Sequence, residues 1–316
     1  MSGLKVLNKR KIGVAGDHLW FQMKRDWILY ALLILPMAYF LIFKYVPMYG
    51  ITIAFKDYNL FQGILKSPWV GWDTFKEVFA MPEFYRALRN TVMLNFLDLV
   101  VSFPAPIILA ILLNELRVDW FKRIAQTIMY LPYFLSWVII GGIVIQLLAP
   151  QSGLVNIFFR ALGMAPVPFL TDKWYWLFTY CIVGVWQSAG WGTIIYLAAI
   201  TGINQELYEA AEVDGAGRLR RIWHITLPGI KSTIIILLIL NLGRILNLIF
   251  DRPYIIGNHY VMDFSDVLST YVYRAGLQSM RYSLATAVGL FQSLVGMIFL
   301  LVTNYIANKC GEEGIW

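Results

Sequence analysis

Asn241, Arg244 and Asn247 recur at every third position of an otherwise apolar run. On a helix that spacing keeps them within about a 120° arc, so two amides and a guanidinium share one face. Trp186, Gln187 and Trp191 cluster in a second apolar run, and Gln292 and Asn95 stand in two others. Indole faces stack on sugar rings, and amide or guanidinium N–H groups donate to hydroxyls. These residues are candidates for the wall of a cavity that takes a hydroxyl-rich solute. A guanidinium at the centre of a membrane helix costs about 2.5–3.5 kcal/mol on insertion scales. Arg244 lies ~9 Å from the end of its run at Phe250, close enough to snorkel. A structural pair of Arg244 with Asp98 or Asp251 is the competing reading. Interhelical hydrogen bonds would explain Gln292 and Asn95 equally well. Gly184, Ser188 and Gly192 form a small-xxx-small stripe, whose ordinary use is close helix packing.

Other chemistries lack their residues. No G-x-x-x-x-G-K-[ST] phosphate loop occurs, and Gly215-Ala-Gly217 followed by Arg218 is not one. His18, His224 and His259 have no ligand spacing, so no metal site is expected. Cys181 and Cys310 form no CxxC and read as free thiols. No Ser/His/Asp frame is present. The expectation is a chain without catalysis or a cofactor of its own.

The elements that must carry the polar residues follow from composition. Of 316 residues, 59% are hydrophobic and 14% charged, and mean hydropathy is +0.63. A soluble fold of this length cannot bury that much apolar side chain, so the class is all-α integral membrane. The net charge of +7 then speaks to orientation rather than to nucleic acid. Six runs are long enough to span. They are Trp27 to Phe43 or beyond Lys44, Asn90 to Asn114, Ile124 to about Ala149, Trp174 to about Thr201, Ser232 to Phe250, and Tyr282 to Asn308. Lys and Arg are about twice as dense on the side holding both termini, which makes that side cytoplasmic. The expected division is a leader at 1–26, a six-helix domain at 27–308 and a tail at 309–316. The loops on the other side include Asp73 to Met81, a short amphipathic helix expected at the outer surface.

One segment on the cytoplasmic side, 201–229, differs from the rest. Asn204 is a helix N-cap, and Glu206, Glu209 and Glu212 suit the early turns. Leu207, Ala210 and Ala211 share one face. Gly215 ends the helix where a positive φ is needed. A basic helix follows through Arg218, Arg220 and Arg221. Small side chains on a short helix tied to two spans suit a close contact with a soluble partner. The plainer reading is an amphipathic loop whose arginines meet anionic lipid.

Glu209-Ala-Ala, Asp214-Gly-Ala, nine residues from Ala216 to His224, then Ile225-Thr-Leu-Pro228, together resemble the EAA loop of ABC importer permeases. Trp223 stands where sugar permeases often carry Phe. Tyr45-Val-Pro-Met-Tyr-Gly50, Leu131-Pro-Tyr-Phe-Leu-Ser136, Ser152-Gly-Leu-Val-Asn156 and Trp191-Gly-Thr-Ile-Ile-Tyr196 are similar to the polysaccharide-type group that includes the maltose and alginate importers. The resemblance covers about 25–316.

It implies the type I importer permease (MetI-like) fold. It also implies a second homologous permease, two ATPase subunits holding ATP and Mg, an extracytoplasmic solute-binding protein and an oligosaccharide substrate. Leu207, Glu209, Ala210, Ala211, Asp214 and Gly215 would dock on an ATPase. The location implied is the bacterial cytoplasmic membrane. A secondary, ion-coupled transporter is the alternative class. It would need carboxylates at depth, and Asp98 alone qualifies.

Overall fold

The computed structural model describes residues 25–243 and 250–309. Its named elements are helical, and one antiparallel bridge joins Lys56 to Trp69. Four helices are long and apolar enough to cross a membrane: α1 (Trp27–Phe55), α3 (Pro82–Asn114), α7 (Lys173–Thr201) and α13 (Tyr282–Lys309). Two bent pairs bring the candidates to six. In the first, α4 (Asp119–Phe134) meets α5 (Trp137–Leu148) at 102°; in the second, α9 (Arg218–Gly229) meets α10 (Lys231–Gly243) at 59°. Shorter helices fill the connections: α2 (Asp73–Ala80), α6 (Leu154–Ala161), α8 (Gln205–Val213), α11 (Asp251–Ile256) and α12 (Leu268–Tyr273).

Several boundaries differ from the sequence expectation, each for a physical reason. The third run was expected as one span and is instead two helices at a steep angle. Pro132 cannot donate to the helix ladder, and the Ser136 side chain accepts from the Ile139 N–H to start α5. Span two begins earlier, at Pro82, because its polar first turns have partners. The Asn90 amide donates to the carbonyls of Asp263 and Asp266, both at 2.9 Å. Asp263 in turn pairs with Arg86 at 3.3 Å. Span one continues helically past Lys44 to Phe55.

Prolines follow three of the four π turns among the described residues; the fourth, Arg274–Gln278, precedes none. Leu41–Tyr45, Asp98–Ser102 and Ile222–Thr226 are π turns. Each ends two residues before a proline: Pro47, Pro104 and Pro228. A proline lacks the N–H that the carbonyl four residues back requires. The chain widens by one residue and bonds five back instead, as in Phe103 N–H to the Asp98 carbonyl at 2.9 Å.

Lipid is as apolar as leucine, so close packing and buried hydrogen bonds hold the helices together. The small-residue stripe of α7 serves this purpose. A Cβ on Gly192 would lie 2.9 Å from the Pro106 ring, and one on Gly190 would lie 1.9 Å from the Met129 carbonyl oxygen. Trp176 is fully buried, and its indole N–H donates to the Ile256 carbonyl at 2.9 Å. That bond fastens α11 to α7, with Ile140 and Val144 of α5 in the same apolar cluster. A second cluster joins α2, α3, α12 and α13 through Phe75, Phe84, Leu268 and Leu284. The apolar face of α2 is therefore packed on other helices. A third cluster, Ala110, Tyr196, Ile200 and Ile230, closes the end of the bundle beside α8.

Candidate functional site

Two features carry chemistry: a polar cavity among α3, α5, α7 and α10, and the exposed segment between α7 and α10.

The cavity measures about 460 Å³, within the range that holds a small organic ligand. Gln187, Ser188 and Trp191 of α7, Asn95 and Asp98 of α3, and Asn241 of α10 line it. The Asn241 amide donates to the Leu237 carbonyl at 2.8 Å, and the Asn95 amide to the Thr91 carbonyl at 2.8 Å. Both use their N–H on their own helix. Gln187 makes no hydrogen bond to another described residue and offers its amide to the cavity. One face of Trp191 stacks on Tyr133 from the Leu131–Phe134 turn, with ring centroids 4.8 Å apart and planes 5° apart. The proline break in span three thus places an aromatic partner on Trp191.

The other expected wall residues lie elsewhere. Trp186 is 46% exposed and away from the cavity. Gln292 is buried in α13 and is not part of the wall. Arg244, Asn247 and Cys310 fall outside the described residues. Cys181 is a free thiol.

Among the described residues the cation that lines the cavity is Arg252, which the sequence expectation placed in an outside connection. It is 8% exposed. Its guanidinium pairs with Asp98 and donates to the Tyr180 hydroxyl at 2.7 Å and to the Tyr180 carbonyl at 3.1 Å. The group also lies 3.7 Å from the Tyr180 ring centroid, a cation–π contact. Its Nε has no partner among the described residues. Gly184 makes room for it, since a Cβ there would sit 1.7 Å from Arg252 Nη1. Asp98 opens the π turn before Pro104 and also accepts from Ser102 Oγ at 3.1 Å. Three distant stretches of chain therefore meet at one ion pair. The available signal was Asp98 itself: a lone carboxylate in an apolar run requires a cation, and Arg252 supplies one.

The exposed segment is built from local rules. The Asn204 side-chain oxygen accepts from the Glu206 N–H at 3.0 Å, and the Asn204 amide donates to the Glu206 carboxylate at 3.0 Å. The far end of α8 closes with a Schellman motif. Ala216 N–H bonds the Ala211 carbonyl at 2.8 Å, Gly215 N–H bonds the Glu212 carbonyl at 3.0 Å, and Gly215 has φ +71°. No residue of α8 is buried. Leu207, Glu209 and Ala210 are exposed, Ala211 is half-buried, and Val213 is 88% exposed.

Side-chain bonds fix this helix to its neighbours. Tyr208 Oη meets Thr226 Oγ1 at 2.9 Å, and Glu212 pairs with Arg221 at 3.1 Å. Arg218 lies 3.9 Å from Glu115, the residue after α3. A Cβ on Gly229 would reach to 2.5 Å from Ile203 Cδ1, so the two ends of the segment touch. These contacts tie α8 to α9 and bring the ends of α7 and α10 together.

A model of the family described as "binding-protein-dependent transport system inner membrane component" matches residues 102–310. The chain is 49% identical to protein LplB of Bacillus subtilis (strain 168), over 93% of this chain and 92% of that protein. It is 48% identical to the polygalacturonan/rhamnogalacturonan transport system permease protein YteP of the same organism, over 90% and 89% respectively. A crystal structure of a bacterial ABC transporter involved in the import of the acidic polysaccharide alginate includes a chain that superposes with a TM-score of 0.86. That likeness holds at 41% identity and covers 92% of this chain and 99% of the other. The chain belongs to the family of binding-protein-dependent transport system inner membrane components, and it is a permease subunit of an ABC importer in the bacterial inner membrane.

Proposed function

We propose that this permease forms half of a translocation path for oligosaccharides or polysaccharide fragments and takes its driving force through α8. A second, homologous permease completes the path. Two ATPase subunits, which bind ATP and Mg, dock on the side that holds both termini. An extracytoplasmic binding protein delivers the solute. The Lys and Arg density supports this orientation, and the named relatives support the substrate class: YteP serves polygalacturonan and rhamnogalacturonan. A crystal structure of a bacterial alginate ABC transporter with a chain similar to this one also holds an alginate pentasaccharide-bound periplasmic protein.

The observation that carries the reading is α8: capped at both ends, unburied along its length, yet bonded to α9 through Tyr208 and Glu212. Leu207, Glu209, Ala210, Ala211 and Asp214 would meet the ATPase, and Gly215 is the turn that sets the helix angle. In the cavity, Gln187, Trp191 and Asn241 are the hydroxyl- and ring-binding groups, with Asn95 beside them. Arg244, Asn247, Trp186 and Gln292 remain candidates for later stages of the path.

Gly215→Asp is the test of coupling. It should abolish uptake while the assembled complex still hydrolyses ATP. Normal uptake in that variant would remove the proposed role of α8.

A further inference from the structure

Arg252 is the cation of the cavity wall among the described residues, and its charge is already spent on a neighbour. Asp98 holds one edge of the guanidinium, the Tyr180 hydroxyl and carbonyl hold other N–H groups, and the Tyr180 ring covers a face. Asp251, the third charged group lining the cavity among the described residues, is exposed, and a second carboxylate beside the pair adds no positive charge for an acidic solute to meet. Among the described residues the wall presents amides, hydroxyls and two indoles set among apolar side chains, and close to no net charge from the pair.

This arrangement has a consequence for an acidic solute. A free guanidinium in a partly desolvated cavity binds a carboxylate bidentately and strongly. A transport path needs binding that is weak enough to release. Masking the guanidinium by an internal carboxylate meets that need, and it still leaves Arg252 to fasten α11 to α3 and α7.

We propose that Asp98 is a specificity-determining residue: by masking Arg252 it keeps that guanidinium from selecting for acidic solutes, so that the described wall reads hydroxyls and rings. The proposal rests on the reading of the cavity as the solute path.

The test uses the purified full complex without its binding protein, and two probes of equal size: trigalacturonate and its fully methyl-esterified form. Equilibrium binding is measured for the native complex, Asp98→Asn, and Asp98→Asn with Arg252→Gln. The native complex should bind the two probes within about threefold of each other, with little dependence on salt. Asp98→Asn should bind the acid about tenfold more tightly and leave the ester within about twofold. The double variant should lose that gain.

An unchanged acid-to-ester ratio in Asp98→Asn overturns the proposal. So does a strong, salt-sensitive preference for the acid in the native complex, a measurement that needs no variant to fold. Gln187→Ala and Trp191→Ala report separately on the cavity reading. They should weaken both probes alike, and if neither variant weakens either probe, the cavity is not the path and it is that reading which fails.

Discussion

The α8 segment and the Arg252 clasp are opposite solutions to placing function on a helical membrane scaffold. The first is contiguous, exposed and shaped by local bonds: an Asn cap, a glycine turn, and side-chain pairs within eighteen residues of each other. The second is buried and assembled from positions 98, 180 and 252, with bonds bridging 72 and 154 residues of chain. An exposed lever must keep its angle under load from a partner. A buried clasp must keep its charges matched, because neither can be solvated if the other is lost. Mutations should therefore fail differently in the two regions: loss of assembly at the clasp, loss of coupling with assembly intact at the lever.

The sharpest break of that contrast is Arg252→Ala. It leaves the Asp98 charge with only the hydroxyls of Ser102 and Tyr180 as donors, and removing one partner of a buried pair costs about 3–5 kcal/mol. The melting temperature of the purified complex should fall markedly, and Arg252→Lys should recover little, since an ammonium cannot reproduce the planar fork. Gly184→Ala attacks the same clasp from the side. Its methyl would collide with Arg252 Nη1, so a loss of about 1–3 kcal/mol is expected, read by the same melt.

At the lever the expected signature is different. Gly215 has open space around it but φ +71°. Gly215→Val should strain the turn by about 1–3 kcal/mol, while Gly215→Asn, tolerated in the left-handed region, should stay close to native. Uptake should fall severalfold in the valine variant and little in the asparagine one, with equal recovery of complex from membranes. Equal uptake in both would mean that the turn conformation is not what matters. The smallest effect belongs to Tyr208→Phe, which removes one hydrogen bond to Thr226, a net of about 0.5–1.5 kcal/mol. ATP consumed per solute imported should rise modestly, with no change in the melt.

The same contrast decides what could be read in advance. The α8 cap, the glycine turn and the acidic first turns follow from rules that act over a few residues, so Asn204 and Gly215 were legible. Four of the six apolar runs were legible as whole spans, because hydropathy acts locally. The steep break between α4 and α5 was written in Pro132 and Ser136, but the run around them is apolar enough to pass as one span. Arg252 was not legible. It stands among polar residues between apolar runs and resembles any loop arginine. Only the fold brings it under Gly184 and against Asp98. The acid was recognised and its base was not, because partner choice across 154 residues is a property of packing. Pairing with Arg252 also removes Asp98 as a free carboxylate at depth, the one feature that favoured an ion-coupled transporter.

The central claim is that α8 receives force from a separate ATPase subunit. Val213, 88% exposed at the end of α8, is the place to measure it. A Val213→Cys variant, in a background with Cys181→Ser and Cys310→Ser, should cross-link to cysteines scanned across the ATPase surface. The bond should arrest uptake, and reduction should restore it. Steady solute import by a complex in which no position on the ATPase ever links to residue 213 would contradict the claim.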